Sequence, residues 1–258
     1  MKINKYIKRG FADLILCLII ILSIFPFIYM FIMSFKSTTN AADISIAIEN
    51  FGKYIFNSVF VAVAGVVLTV VVCSLAGYAF AKLNFKGNDK IFLIMVLTLM
   101  VPSEVIVAPL FLIVKHMNML NTYWALILPL PTAFGVFIMR QAILGVPKDL
   151  MDAAKIDGCS DIKIFFKVIL PLVEPAILTL AIFTFLGAWN NFLWPMVSCN
   201  RPEMKTLPLA LGMMKTQYNT DVGLTMACAV INFLPPFIFY LFMQRKFKEG
   251  ITLSGMKG

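Results

Sequence analysis

Apolar residues run through this chain in long blocks, and charge is largely confined to the gaps between them. Leu14–Met33, Ile55–Ala81 and Val222–Met243 hold no charged residue, and each reaches the ~20 largely apolar residues that a helix needs to cross the hydrocarbon core of a bilayer. Three further blocks are interrupted. One covers 91–114 and contains Pro102, Glu104 and Pro109; one covers 123–142 with Pro129 and Pro131; one covers 168–197 with Glu174 and Pro175 near its start. Proline is tolerated in a span when neighbours re-satisfy the freed backbone groups, and it favours kinks there. The pattern predicts an all-α, polytopic membrane protein with six transmembrane helices over 12–34, 55–81, 91–114, 123–142, 168–197 and 222–244, in a single domain over 1–258.

Composition agrees: 60% of residues are apolar, 14% are charged and mean hydropathy is +0.90, which excludes a soluble domain. The first block continues past Pro26 without an Ala-x-Ala-like site, so it reads as an uncleaved span and not as a signal peptide. Lys36–Lys53 and Ser198–Asp221 read as outer connections. The net charge of +9 follows topology and does not point to nucleic acid. With both termini inside, all of the 22 Lys and Arg fall on the inner side except Lys36, Lys53, Lys115, Arg201, Lys205 and Lys215, which satisfies the positive-inside rule. Five spans would put the basic tail outside and spoil that balance.

The longest mixed-charge interval runs from Pro147 to Pro175. Pro147 suits the first position of a helix, Asp149 and Asp152 complement its positive end, and Lys155 its negative end. Gly158 suits the left-handed residue that closes such a helix, and Ser160 with Asp161 caps a second helix running through Phe165 and Phe166. Two short helices joined by a glycine turn are expected, within an inner loop over 145–167. Small Ala153 and Ala154 invite the close approach of another protein.

This interval resembles the signature loop of permease subunits in ABC importers: Glu-Ala-Ala, then Asp-Gly, then Leu-Pro. Here it reads Asp152-Ala153-Ala154-Lys155-Ile156-Asp157-Gly158, with Leu170-Pro171 downstream. Asp152 replaces the usual Glu, and the two-residue gap before Asp157 matches the carbohydrate branch. Other runs resemble the same branch, of the maltose and multiple-sugar type: Gly77-Tyr78-Ala79-Phe80-Ala81-Lys82 with Phe85-Lys86-Gly87, then Trp189-Asn190-Asn191-Phe192-Leu193-Trp194-Pro195, Thr206-Leu207-Pro208-Leu209, and the tail Gly255-Met256-Lys257-Gly258. The resemblance implies the ABC type I importer permease fold in a bacterial cytoplasmic membrane. It implies four kinds of partner: a second homologous permease, an ATPase dimer, an extracellular solute-binding protein and a sugar substrate. It implies that Leu150, Met151, Asp152, Ala153, Ala154, Ile156, Asp157 and Gly158 dock on the ATPase.

Other candidate chemistry is sparse. Trp189, Asn190 and Asn191, with Asn232 in the last span, suit a solute path in which rings meet pyranose faces and carboxamides meet hydroxyls. An interfacial aromatic belt with interhelical amide bonds accounts for the same residues. Glu104 either caps a broken helix or faces an aqueous vestibule, since an ionisable group inside a span is a functional candidate. His116 has no partners in sequence and reads as interfacial. The five cysteines are scattered, with no disulfide or metal spacing, and no catalytic dyad is present. Gly250–Lys257 resembles a phosphate loop, but it misplaces its lysine and lacks the following Ser or Thr. No cofactor is therefore expected on this chain, and a partner would use the ATP. An ion-coupled transporter built on Glu104 and Glu174, a non-sugar permease of the same superfamily, and a membrane scaffold are the alternatives.

Overall fold

The computed structural model describes the backbone over residues 2–36, 51–217 and 222–255, and side chains over 13–36, 51–213 and 222–242. The connection expected before Lys53 lies mostly outside the described residues, as do the end of the connection expected before Val222 and the last three residues of the tail. All regular structure among the described residues is helical. The chain divides into two compact units, Met1–Glu49 with Leu211–Pro235, and Asn50–Ala210 with Pro236–Gly258.

The helices in order are α1 (Lys2–Ser34), α2 (Phe51–Lys82), α3 (Asn88–Met100), α4 (Ser103–His116), α5 (Tyr123–Ile127), α6 (Ala133–Leu144), α7 (Lys148–Ile156), α8 (Asp161–Leu172), α9 (Glu174–Trp189), α10 (Leu193–Ser198), α11 (Leu207–Gln217) and α12 (Val222–Gly255). α1, α2 and α12 each contain a stretch long and apolar enough to cross a membrane. The expected clean spans over 12–34, 55–81 and 222–244 fall on these three. In the first unit, α1 presents apolar side chains such as Leu14, Ile21 and Phe25 outward, and Phe27 meets Phe233 with ring centroids 4.9 Å apart.

The three interrupted blocks do not form continuous helices. α3 and α4 are bent by 109° and α8 and α9 by 79°, giving up to five spans if each bent pair counts as one. The cause at the first bend is Pro102, which has no N–H and holds Val101 extended at φ −84° and ψ 121°. Pro109, by contrast, sits inside α4 without breaking it. At the second bend Pro171 and Pro175 remove the backbone donors two positions before and two positions after Val173. The block at 123–142 is split at 128–132, where Pro129 and Pro131 lie, leaving α6 with 12 residues. At 1.5 Å per residue that is ~18 Å, short of a bilayer core of ~30 Å. Six spans remain compatible when α5 and α6 are taken together.

In the second unit α2 is the hub, packed on α6 and α9. Glycines set the closest approach. A Cβ on Gly77 would lie 2.7 Å from Met139 Cβ and 2.9 Å from the Arg140 backbone nitrogen, and one on Gly135 would lie 2.7 Å from Cys73 Sγ. Such small-residue contacts let helices close where the hydrophobic effect cannot drive them together.

Candidate functional site

The amphipathic α7 turns one edge inward. Met151 and Ala154, three residues apart and therefore on one face, are buried in a core with Tyr78, Met139, Ile143, Phe165 and Ile169. The opposite face is open: Ile156 is 86% exposed, Leu150 is 45% exposed, and Asp152, Ala153, Asp157 and Gly158 are exposed as well. Of the two alanines expected to admit a partner, only Ala153 is therefore open, because Ala154 is spent on the core. Met151 is likewise an inner anchor and no part of the outward apolar surface.

The turn after α7 forms as expected. Gly158 is left-handed at φ +76°, its N–H bonds the Lys155 carbonyl at 3.0 Å, and the Cys159 N–H bonds that of Ala154 at 3.0 Å. This pair of bonds is the Schellman closure that glycine makes inexpensive. Ser160 Oγ then accepts the Lys163 N–H at 3.4 Å to cap α8, and Lys155 Nζ lies 3.5 Å from Asp161 Oδ1 across the turn. Pro147 is the N-cap of α7, one position before the first helical residue expected for it.

Two contacts tie this helix pair and its approach to the hub, and Arg140 braces α6 against the same end of α2. The Phe165 ring lies 5.3 Å from that of Tyr78, and Phe165 opens a π-helical turn, Phe165–Ile169, within α8. Lys82 Nζ donates to the Val146 carbonyl at 2.7 Å. Arg140 Nε donates to the Phe80 carbonyl at 3.3 Å, and its guanidinium sits 4.0 Å above the Phe92 ring. α7 is thus an outward-facing surface mounted on the end of α2.

A separate cavity of about 530 Å³ lies between α4, the α5–α6 break, α9 and α10. Glu104, Thr184, Asn191, Phe134, Phe183 and Trp194 contribute to its wall. Glu104 stands in the first turn of α4 and accepts a hydrogen bond from Ser103 Oγ at 2.9 Å. Asn191 Oδ1 accepts the Trp194 N–H at 3.2 Å, which fixes the start of α10, and Trp194 Nε1 donates to the Ala125 carbonyl at 2.8 Å.

The residues suggested for a solute path separate accordingly. Asn191 lines the cavity. Trp189 is 1% exposed and stacks on Phe185 at 5.9 Å, so it is a packing residue. Asn190 is exposed at the C-terminal end of α9. Asn232 belongs to the other unit. Glu174 is exposed in the first turn of α9, and His116 is exposed in the last turn of α4.

The profile of a protein family described as the binding-protein-dependent transport system inner membrane component matches residues 73–252, from the second half of α2 through the signature interval into α12. The chain belongs to this family. It is a membrane-spanning permease subunit of an ABC importer, a component that does no catalysis itself. The permease is 38% identical over 258 aligned residues to the arabinooligosaccharides transport system permease protein AraQ of Halalkalibacterium halodurans, covering 92% of each chain. It is 33% identical over 270 aligned residues to the lactose transport system permease protein LacG of Rhizobium radiobacter, covering 96% of this chain and 98% of the relative. Its fold matches a chain of a bacterial ABC transporter involved in the import of the acidic polysaccharide alginate, with TM-score 0.79 and 22% identity over 95% of this chain and 98% of that one.

Two features of the permease escaped sequence reasoning. The cavity depends on breaks at Pro102 and 128–132 whose angles no local pattern sets. Asn57 and Ser58, near the head of the span expected over 55–81, are buried in α2, and their polar groups clamp the 203–207 segment. An amide beside a hydroxyl near the head of an otherwise apolar run was the available signal.

Proposed function

We propose that this permease forms half of the translocation path of an ATP-driven, binding-protein-dependent sugar importer in a bacterial cytoplasmic membrane. It pairs with a second, homologous permease and is driven by an ATPase dimer that uses the ATP. The sugar assignment is supported by identity of 38% and 33% to proteins whose names specify arabinooligosaccharides and lactose. The docking assignment is carried by one observation: α7 is keyed into the core by Met151 and Ala154 while Leu150, Asp152, Ala153, Ile156, Asp157 and Gly158 face outward. An exposed apolar residue flanked by acids on a fixed helix is a surface for a protein partner. Closure of the ATPase dimer would move α7 and α8 as a lever and rock the spans between inward-open and outward-open states.

The test is co-purification of the tagged permease from mildly solubilised native membranes, comparing wild type with Gly158→Arg. Wild type is expected to bring down an ATPase and a second permease, and the variant to lose the ATPase. Recovery of the wild-type chain alone, with uptake driven by a proton gradient and no need for ATP, would replace this reading with an ion-coupled one. Proteoliposomes of the complete complex, assayed with tritiated lactose and arabinotriose, test the sugar assignment.

A further inference from the structure

We propose that the cavity beside Glu104 is a solute site on this subunit, in which the Glu104 carboxylate and the Asn191 carboxamide grip the hydroxyls of a passing sugar. The proposal rests on the sugar-importer reading and deepens it, because it assigns direct solute contact to this chain.

Glu104 carries the argument first. It lies in the first turn of α4, at the 109° bend between α3 and α4. An ionisable group within an apolar block is costly unless it faces the bundle interior or water, and Glu104 is exposed at the wall of this cavity. Its carboxylate accepts from the neighbouring Ser103 hydroxyl on Oε1 and from its own backbone N–H. An ionised carboxylate accepts about four hydrogen bonds, so capacity remains for a ligand in the cavity that Glu104 lines. Asn191 is committed in part: its Oδ1 holds the Trp194 N–H, which turns its Nδ2 into the available donor. An acceptor and a donor therefore border the same space.

The rest of the wall suits the same ligand. Phe134 and Phe183 stand edge to face with centroids 5.7 Å apart and both are exposed, offering apolar surface to the C–H faces of a sugar ring. Trp194 is a fixed wall and not a gripping group, since its indole N–H is already bonded to Ala125. The volume of about 530 Å³ falls in the usual range for small-molecule sites of about 300–1,000 Å³.

The experiment uses proteoliposomes holding the complete importer with its binding protein, and follows tritiated arabinotriose and lactose uptake beside ATP hydrolysis. Glu104→Gln keeps the shape and removes the charge. Asn191→Asp keeps the Oδ1 cap of α10 and removes the donor. Each is expected to lower uptake of the transported sugar at least fivefold at saturating loaded binding protein, while hydrolysis stimulated by that protein stays within twofold of wild type. Unchanged uptake in both variants overturns the site and leaves the sugar reading intact. A parallel fall of uptake and hydrolysis also overturns it, because both residues would then act through the fold. Failure of the wild-type complex to take up either sugar while hydrolysing ATP removes the sugar reading and the site with it.

Discussion

Tyr123 Oη donates to Asn57 Oδ1 at 2.7 Å, across 66 residues of sequence. The same amide spends its Nδ2 on the carbonyls of Glu203 and Lys205, at 2.7 and 2.9 Å, and Ser58 Oγ accepts the Leu207 N–H at 2.7 Å. One buried asparagine thus joins α2, α5 and the segment leading into α11. Removing the phenol in Tyr123→Phe leaves a buried acceptor unsatisfied, which costs about 1–3 kcal/mol. Asn57→Ala strands three partners and should cost more. Thermal unfolding of the detergent-solubilised permease should rank the variants in that order, and equal melting temperatures would contradict the network.

Gly77 makes a sharper steric prediction. The nearest atoms to its missing Cβ include the Arg140 backbone nitrogen at 2.9 Å, which cannot swing aside as a side chain would. Gly77→Ala should therefore destabilise by about 1–3 kcal/mol through overpacking. Gly52→Ala, where nothing lies within 4 Å, should melt like the wild type. The two proteins compared side by side check the claim.

Stability and partner binding should come apart on α7. Met151→Ala empties part of a core and should cost about 2–5 kcal/mol. Ile156→Ser removes a side chain that is 86% exposed, so the melting temperature should stay put while co-purification of the ATPase falls. Loss of the ATPase by both variants with normal melting of both would contradict the inward assignment of Met151.

The turn at Gly158 separates backbone from surface. At φ +76° with open space around the α-carbon, Gly158→Asn should fold nearly as well as the wild type, because asparagine tolerates the left-handed region. Gly158→Val should lose about 1–3 kcal/mol to backbone strain alone. Melting curves that fail to distinguish Asn from Val would show that the turn is not held in this conformation.

Much of the fold is legible residue by residue. Uncharged runs of bilayer length mark α1, α2 and α12, and Gly158 with Ser160 announces the turn between α7 and α8. What is not legible is angle. Pro102 and Pro109 lie in one apolar block, yet only Pro102 breaks it, because the outcome depends on whether neighbours restore the lost backbone bonds. The face of α7 is a similar case. A period of 3.6 groups Met151 with Ala154, but only packing under Tyr78 and Phe165 decides that this face points in. Trp189 looks like a binding residue in sequence and is a core residue in space, because its stacking partner Phe185 also meets Phe239 at 4.0 Å from far along the chain.

The inner face of α7 has a mechanical consequence. A pad that merely rests on its neighbour transmits a push and separates under tension. Met151 and Ala154 are interlocked with the hub, and Lys82 tethers the approach to α7 through the Val146 carbonyl. Whatever seizes Ile156 can therefore drag the spans as well as shove them, so both halves of a cycle can be delivered through the same handle.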